Sequence, residues 1–376
     1  MTARVLYAAL RRRTDYVWLV LAIAVALIAI RAALPFIVKD YVNGRLHALD
    51  AYDGSVADVD IALLRGAYRI DGIEVVKRGA RQPTPFFDSN RVDFSIEWRS
   101  LFHGSLVAEA HFYQPKLNLV EGPSPKQSQL GTEEDWHDRL EELFPFHFNT
   151  IEIHDGTATF RTPGIAVGDA LTARHVNGII TNITNVVETE KDAFAEFRLT
   201  GKVLGGAEAW AYGSAEPFSK RSTFDLNMAV ENVDVPHVNP WLRQYLKADA
   251  KSGDFDLYLE VASANGKYEG FAKPILENVQ FLSSEDLPEK EKNPLKTIWN
   301  ATLQLAAEIF ENQPRKQVAA RVPFSGTVAG SQTDLLAAIG SVLRNAFVSA
   351  FTHSIEGSIS LKDVKEGEPS GDAESG

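Results

Sequence analysis

The sequence predicts a mainly β protein: an N-terminal transmembrane helix, then an elongated, curled antiparallel β-sheet of groove-like shape with a few short helices and two longer C-terminal helices. Three observations indicate this. An uncharged apolar segment lies near the N-terminus, segments with a period of two recur from Gly54 onward, and turn residues separate those segments. A chain of 376 residues, 45% of them hydrophobic, can bury a large core.

The N-terminal apolar segment is predicted to be a membrane anchor. Residues 16–30 are uncharged, but a helix of that length spans only about 22 Å of a hydrocarbon layer of about 30 Å. Extension to Val38 supplies the missing length, with Arg31 snorkelling toward lipid headgroups and Pro35 kinking or ending the helix. The residues assigned to the anchor are Tyr16, Trp18, Leu21, Ile23, Leu27, Ile30, Arg31 and Pro35.

The charges that flank this segment predict its orientation. Three arginines at 11–13 precede it, so the positive-inside rule places the N-terminus in the cytoplasm and the body across the membrane. A cleavable signal peptide is the alternative. Apolar residues continue beyond Arg31 and no clear small-residue cleavage site follows, which favours an uncleaved anchor.

The composition limits the cellular compartment in which the protein can act and the chemistry it can perform. The net charge is −12, and residues 1–40 hold six basic and two acidic side chains, so the remaining residues carry −16. Such acidity argues against a nucleic-acid partner. The chain has no cysteine, which excludes thiol catalysis, disulfides and Cys-ligated metals. An acidic, cysteine-free body beyond an anchor fits a bacterial periplasm, and we expect a single-pass inner-membrane protein.

The strands are predicted from their alternation. Segments between Val56 and Val75 alternate, and the stretch from Leu106 to Val120 continues the pattern around Pro115, which marks an edge or a break in pairing. The segment from Asn149 to Phe160 is predicted to be a hairpin turning at Asp-Gly. Further alternating strands cover Phe224–Glu231 and Phe255–Val261. Because one side of each strand is polar, an antiparallel sheet with one solvated face is expected.

Helices are predicted where capping residues precede an apolar stripe. They cover Thr132–Leu143, Asn239–Tyr245, Ile298–Phe310 and Asp334–Phe351, with a strand pair at Gln317–Val328 and Ser354–Leu361. The predicted division is a cytoplasmic N-terminus (1–15), the anchor (16–38), an N-terminal β module (39–122), a linker with a short helix (123–145), the main β-groove module with the C-terminal helices (146–361) and a disordered acidic tail (362–376).

The sequence contains no recognisable catalytic motif. His147 and His154 lie seven positions apart, so in a regular strand they face opposite sides, which argues against a metal site with Asp155. Gly201, Gly205 and Gly206 lack the spacing of a phosphate-binding loop. No enzymatic activity, catalytic residue, metal ligand or cofactor is therefore predicted.

Several segments resemble AsmA-like envelope proteins of bacteria. These are Pro35–Val38 followed by Gly54–Val75, the strand with a central proline at Tyr113–Leu119, and Ser341–Phe351, which looks like the C-terminal helix of an uncharacterised branch. The resemblance implies an inner-membrane-anchored periplasmic protein whose strands form an apolar groove, with roles in outer-membrane biogenesis and phospholipid movement. About 16 to 18 strands would give a groove of about 80 to 85 Å.

Phospholipid, or another acyl-chain lipid, is accordingly the expected partner, together with the inner membrane; other envelope proteins or a second copy of the chain are further candidates. The predicted groove residues are Ile151, Ile153, Phe160, Phe224, Leu226, Met228, Phe255, Leu257 and Leu259. An anchored scaffold or assembly factor with a closed β core would bury the same residues and act through protein contacts. An envelope enzyme is a third reading, which would need a buried titratable group in a cleft.

Overall fold

The computed structural model describes residues 3–62, 66–79, 84–103, 106–122, 124, 127–131, 146–185, 194–218, 223–243, 249–281, 317–319 and 321–327. The helices are α1 (Ala3–His47), α2 (Trp98–Phe102) and α3 (Asn239–Trp241), with 3₁₀ turns at Val167–Asp169 and Val235–Val238. The strands are β1 (Tyr52–Ala62), β2 (Ala67–Lys77), β3 (Phe87–Ile96), β4 (Leu106–Tyr113), β5 (Lys116–Val120), β6 (Phe146–Arg161), β7 (Leu171–Thr184), β8 (Ala195–Val203), β9 (Ala207–Ala215), β10 (Phe224–Asp234), β11 (Ala250–Ala264), β12 (Lys267–Phe281), β13 (Gln317–Ala319) and β14 (Val322–Thr327).

The strands form one sheet, which confirms the mainly β prediction. Twelve of the fourteen strands among the described residues follow one path in the order β1-β2-β3-β4-β6-β7-β8-β9-β10-β11-β12-β13. The remaining two strands add no further position to this order. Strand β5 follows β4 in the same position between β3 and β6, and β14 pairs with β12 next to β13. At about 4.8 Å a rung, the path of the described strands is about 53 Å long, whereas the 80 to 85 Å estimated from the sequence assumed 16 to 18 strands over the whole chain.

The sheet is mostly antiparallel, with one parallel joint among the described strands. Both β4 and β5 run parallel to β6, whereas the other pairings are antiparallel. Strands β4 and β5 occupy the same position in the sheet and are separated by Gln114, where φ is +52°, and by Pro115. Proline has no N–H to donate to a ladder, so Pro115 interrupts a rung inside the sheet and does not mark an edge.

The predicted hairpin at Asn149–Phe160 is wrong, because those residues belong to the single strand β6. Asp155 has a φ of +54°, as a tight turn would require, but the chain continues in the same direction through a register irregularity against β7. The pair Asp155-Gly156 therefore forms a β-bulge, in which a left-handed residue bends the strand without reversing it.

Helix α1 is continuous from the apolar segment onto the sheet. Pro35 lies inside the helix and does not end it, because α1 runs on to His47. The side chains spaced four apart that pack on β1 and β2 are Leu34, Val38, Val42 and Leu46. Asn43 accepts a hydrogen bond from the Val56 N–H at 2.7 Å, and Lys39 donates to the Ala57 carbonyl at 2.6 Å. The apolar segment is therefore joined to the sheet without a linker.

The remaining predicted elements have mixed outcomes. Of the helix predicted at Asn239–Tyr245, the first three residues form α3, which follows the 3₁₀ turn at Val235–Val238, and Tyr245 lies outside the described residues. The predicted strand at Gln317–Val328 is present as β13 and β14. The helices predicted at Thr132–Leu143, Ile298–Phe310 and Asp334–Phe351, the strand Ser354–Leu361 and the tail at 362–376 lie outside the described residues.

Candidate functional site

The register of the strands defines one apolar face of the sheet. Residues paired across neighbouring strands project to the same side, as Ala110 does with Ile151, and Ile180 with Phe197. We name this side the apolar face; it carries Val56, Val59, Ile61, Tyr68, Ile70, Ile73, Val75, Phe87, Val92, Phe94, Ala108, Ala110, Phe112, Phe148, Ile151, Ile153, Ala158, Phe160, Leu171, Ala173, Ile180, Phe197, Leu199, Val203, Ala209, Ala211, Phe224, Leu226, Met228, Val230, Phe255, Leu257, Leu259, Val261, Ala272, Leu276, Val322 and Phe324.

The two ends of the apolar face are covered by helical segments. At β1, the face packs against α1, and Val56, Val59 and Ile61 are buried. At β10–β12, Val235 and Val238 of the 3₁₀ turn pack into a cluster that includes Phe255, Leu276 and Val279. Between these ends, the large side chains of β6–β8 are only half-buried: Phe148, Ile151, Ile153, Phe160, Leu171, Ile180, Phe197 and Leu199.

All nine predicted groove residues lie on the apolar face, but their exposure divides them. Four are fully buried and belong to core clusters: Phe224, Leu226, Phe255 and Leu259. Five are half-buried: Ile151, Ile153, Phe160, Met228 and Leu257. Only the second group offers surface to a ligand in this conformation, so the candidate site is the central part of the apolar face, from β6 to β11.

The predicted anchor residues lie on α1. Trp18, Leu21, Ile23, Leu27 and Ile30 are 50–68% exposed. The helix is long and apolar enough to cross a membrane, with a mean hydropathy of 2.6 in its most apolar window. Such exposure in water would be unfavourable, and a lipid bilayer relieves it.

A cavity of about 380 Å³ lies where α1 meets the sheet. Its wall combines Ile61, Tyr68 and Phe94 of the apolar face with Arg31 of α1 and with Asp60, Arg69 and Asp93. Arg69 donates a hydrogen bond to Asp93 at 3.1 Å, which raises the pKa of Arg69 above its usual value and keeps it cationic. The apolar face thus opens beside the apolar segment of α1, at a polar, charged rim.

A second cavity, of about 530 Å³, lies at the opposite ends of the central strands. Its exposed charged or titratable lining residues are Asp169, Arg174, His175, Lys202 and His237. They lie beside two buried residues, Val203 of the cluster that closes the apolar face and Trp241 of α3. Basic side chains outnumber acidic ones here. The arrangement suits an anionic group placed next to apolar surface.

The structure does not bring His147, His154 and Asp155 together into one cluster. A register irregularity between β4 and β6 near Asn149 places His147 and His154 on the same side, contrary to the prediction from their parity. His154 lies against His111 and Glu152, and one potential ligand atom from each of the three residues lies within 4.8 Å of the other two. Asp155 belongs to a separate network. His111 was missed because it pairs with Glu152 only through the parallel joint.

Asp155 sits in a polar network at the bulge of β6. His175 contacts the Asp155 carboxylate at 2.7 Å and Gln114 donates to it at 3.2 Å, and these hydrogen bonds lower the pKa of Asp155 below its ordinary value. Asn177 holds the bulge from the other side by accepting a hydrogen bond from the Asp155 N–H at 3.0 Å.

The lowered pKa of Asp155 predicts a pH-dependent contribution to stability. A carboxyl whose folded-state pKa is depressed stabilises the fold above its unfolded-state pKa, and this contribution is lost as pH falls through the folded-state pKa. We therefore expect Asp155→Asn, which tolerates the positive φ, to lower the urea midpoint at pH 6 and to lower it less at pH 3, below the ordinary value of 3.8 for this carboxyl. Equal effects at both pH values would contradict the assigned role of the charge.

No protein-family model matches the chain, and a search of curated proteins finds no significant match.

Proposed function

We propose that the protein is a membrane-anchored lipid-binding protein of the AsmA-like type, which holds acyl chains against the central apolar face and serves envelope biogenesis or phospholipid movement. The observation that carries the proposal is a continuous apolar face whose large side chains stay half-buried at β6–β8 while both ends are covered. Apolar surface of this extent on a soluble body favours an apolar ligand.

The binding would be passive. Each acyl CH₂ that leaves water for the central apolar face gains roughly 0.8 kcal/mol, so a chain that contacts several rungs needs no specific polar contact. Side chains such as Phe160 and Ile153 would contribute the contact surface, whereas buried Phe255 and Leu226 would hold the sheet together. The basic cavity at Arg174 and Lys202 supports an anionic headgroup.

The anchor supports a location at a membrane. Because α1 passes directly from the apolar segment onto β1, the apolar face begins next to the bilayer, and a lipid would travel little through water to reach it. Arginines 11–13 support a cytoplasmic N-terminus, and the absence of cysteine fits a periplasmic body. A bacterial inner membrane is therefore the proposed site of action.

Site-specific photo-crosslinking of the full chain in bacterial membranes tests this proposal. A photoreactive phenylalanine analogue is placed at Phe160 or Met228 on the apolar face, and at the adjacent Thr159 or Asn227 on the opposite face. We expect lipid adducts, identified by mass spectrometry, at 160 and 228 and few at 159 and 227. The adjacent positions share the same strand and distance from the membrane, so only the face differs.

Two results would contradict lipid binding. Equal lipid labelling of both faces would indicate contact with the bilayer and no selective site. Protein adducts at 160 and 228 without lipid would favour the scaffold alternative, in which the central apolar face is covered by another polypeptide.

A further inference from the structure

We infer that His111, Glu152 and His154 form a binding site for one divalent transition-metal ion of the zinc class, on the polar face of the sheet. His111 lies on β4, and Glu152 and His154 lie on β6. His111 and Glu152 are register partners across the parallel joint, and His154 projects two residues further along on the same side. The three side chains are 32–39% exposed, so solvent can reach them.

The distances between the donor atoms fit one tetrahedral ion. His111 Nδ1 and His154 Nε2 each lie 3.2 Å from Glu152 Oε2, and the two nitrogens are 3.5 Å apart. Tetrahedral zinc with bonds of 2.0 to 2.2 Å requires donors about 3.3 to 3.5 Å apart. An ion could therefore sit between the three atoms with shifts of only a few tenths of an ångström.

Hydrogen bonds alone do not satisfy the three donor and acceptor atoms well. If both imidazoles donate to Glu152 Oε2, their two N–H groups also face each other across the 3.5 Å contact. The ring centroids are 5.8 Å apart, so the nitrogens approach without contact between the ring faces. A cation at the centre would accept a lone pair from each of the three atoms at once, and two imidazoles with one carboxylate form a donor set that zinc prefers.

The surroundings orient His154 and leave one side of the cluster open. Tyr113 stacks on the His154 ring, with centroids 4.9 Å apart, and Arg91 covers Tyr113 at 3.9 Å. Solvent would supply the fourth ligand. The ion would join β4 to β6 at the parallel joint, so its binding should stabilise the fold.

Zinc binding by the full chain, purified in detergent with a histidine-free tag, tests this inference. We expect one Zn²⁺ per chain by equilibrium dialysis with elemental analysis, and a higher thermal midpoint in zinc. Glu152→Gln and His154→Gln should each weaken binding by at least about 10-fold, since loss of a direct ligand costs no less than loss of an outer-shell partner. Co²⁺ should give the strong visible absorption of tetrahedral coordination.

His147→Gln is the matched control, because His147 lies on the same strand and side but outside the cluster. This variant should bind zinc as the wild-type chain does. The inference is overturned if no stoichiometric zinc binds, if binding survives in both cluster variants, or if His147→Gln weakens it as much as His154→Gln. None of these outcomes bears on lipid adducts at Phe160, so the two proposals fail independently.

Discussion

Replacing Phe255 by alanine is expected to lower the free energy of unfolding by about 3–5 kcal/mol, the usual cost of truncating a fully buried phenylalanine. Phe255 is 1% exposed and lies beside Val233 on β10 and Leu276 on β12. Its ring also belongs to the cluster that receives Val235 from the 3₁₀ turn. Removal of the ring would leave a cavity that three elements share, and urea unfolding of the full chain in detergent measures the loss.

Phe160→Ala is the matched variant, since it makes the same chemical change on the same face at a half-buried position. Phe160 pairs with Leu119 and Leu171. Because its truncation removes less buried surface and water can enter the space, we expect the free energy of unfolding to fall by less than about 2 kcal/mol. The lipid proposal adds a second readout, since Phe160→Ala should reduce lipid adducts at position 228. Equal destabilisation by both variants would mean that the central face is covered in solution, as the closed core requires.

Alternation in the sequence predicted the faces of the strands even where it predicted the wrong connection. Ile151, Ile153 and Phe160 do share a side, although a bulge and not a hairpin turn brings them there. Asp-Gly favours a positive φ at either feature, and the local sequence does not distinguish them. The choice depends on whether neighbouring strands pair with both halves of β6, as β7 does, which is a long-range property.

The histidine cluster depends on strand register and long-range pairing, which the local sequence does not reveal. In a regular strand His147 and His154 would face opposite sides, but one irregularity near Asn149 places them on the same side. His111 lies far from Glu152 in sequence, and a crossover joins their strands in parallel, so no spacing rule could pair them.

The sequence contains a pattern that indicates the full length of α1, but charged residues after Val38 obscure it. The polar residues after Val38 suggested that the apolar segment ended there. Leu34, Val38, Val42 and Leu46 nevertheless repeat every fourth residue, which is the pattern of a helix packing on a surface. The partner surface on β1 and β2 exists only after the sheet has formed. For this reason the sequence predicted the apolar helix but not the packing of its C-terminal half on the sheet.

Gly213→Ala is expected to destabilise the sheet by about 3 kcal/mol or more, at the upper end of overpacking effects. A Cβ at this position would overlap the Asp225 carbonyl oxygen of β10 and lie 3.0 Å from the Phe197 ring of β8. The obstacle at Asp225 is backbone, which cannot rotate away as a side chain can. Strands β9 and β10 would have to separate at the centre of the apolar face.

Gly168→Ala is the control for this prediction, because a Cβ there meets no atom within 4 Å and the backbone is not left-handed. It should change the urea midpoint little, since alanine also restricts the unfolded chain. The φ of Gly213 is not positive either, so the difference between the variants would measure space alone. Wild-type stability of Gly213→Ala would mean that β9 and β10 lie further apart in solution. In that case the apolar face would be wider at its centre, and acyl chains would meet a looser surface there.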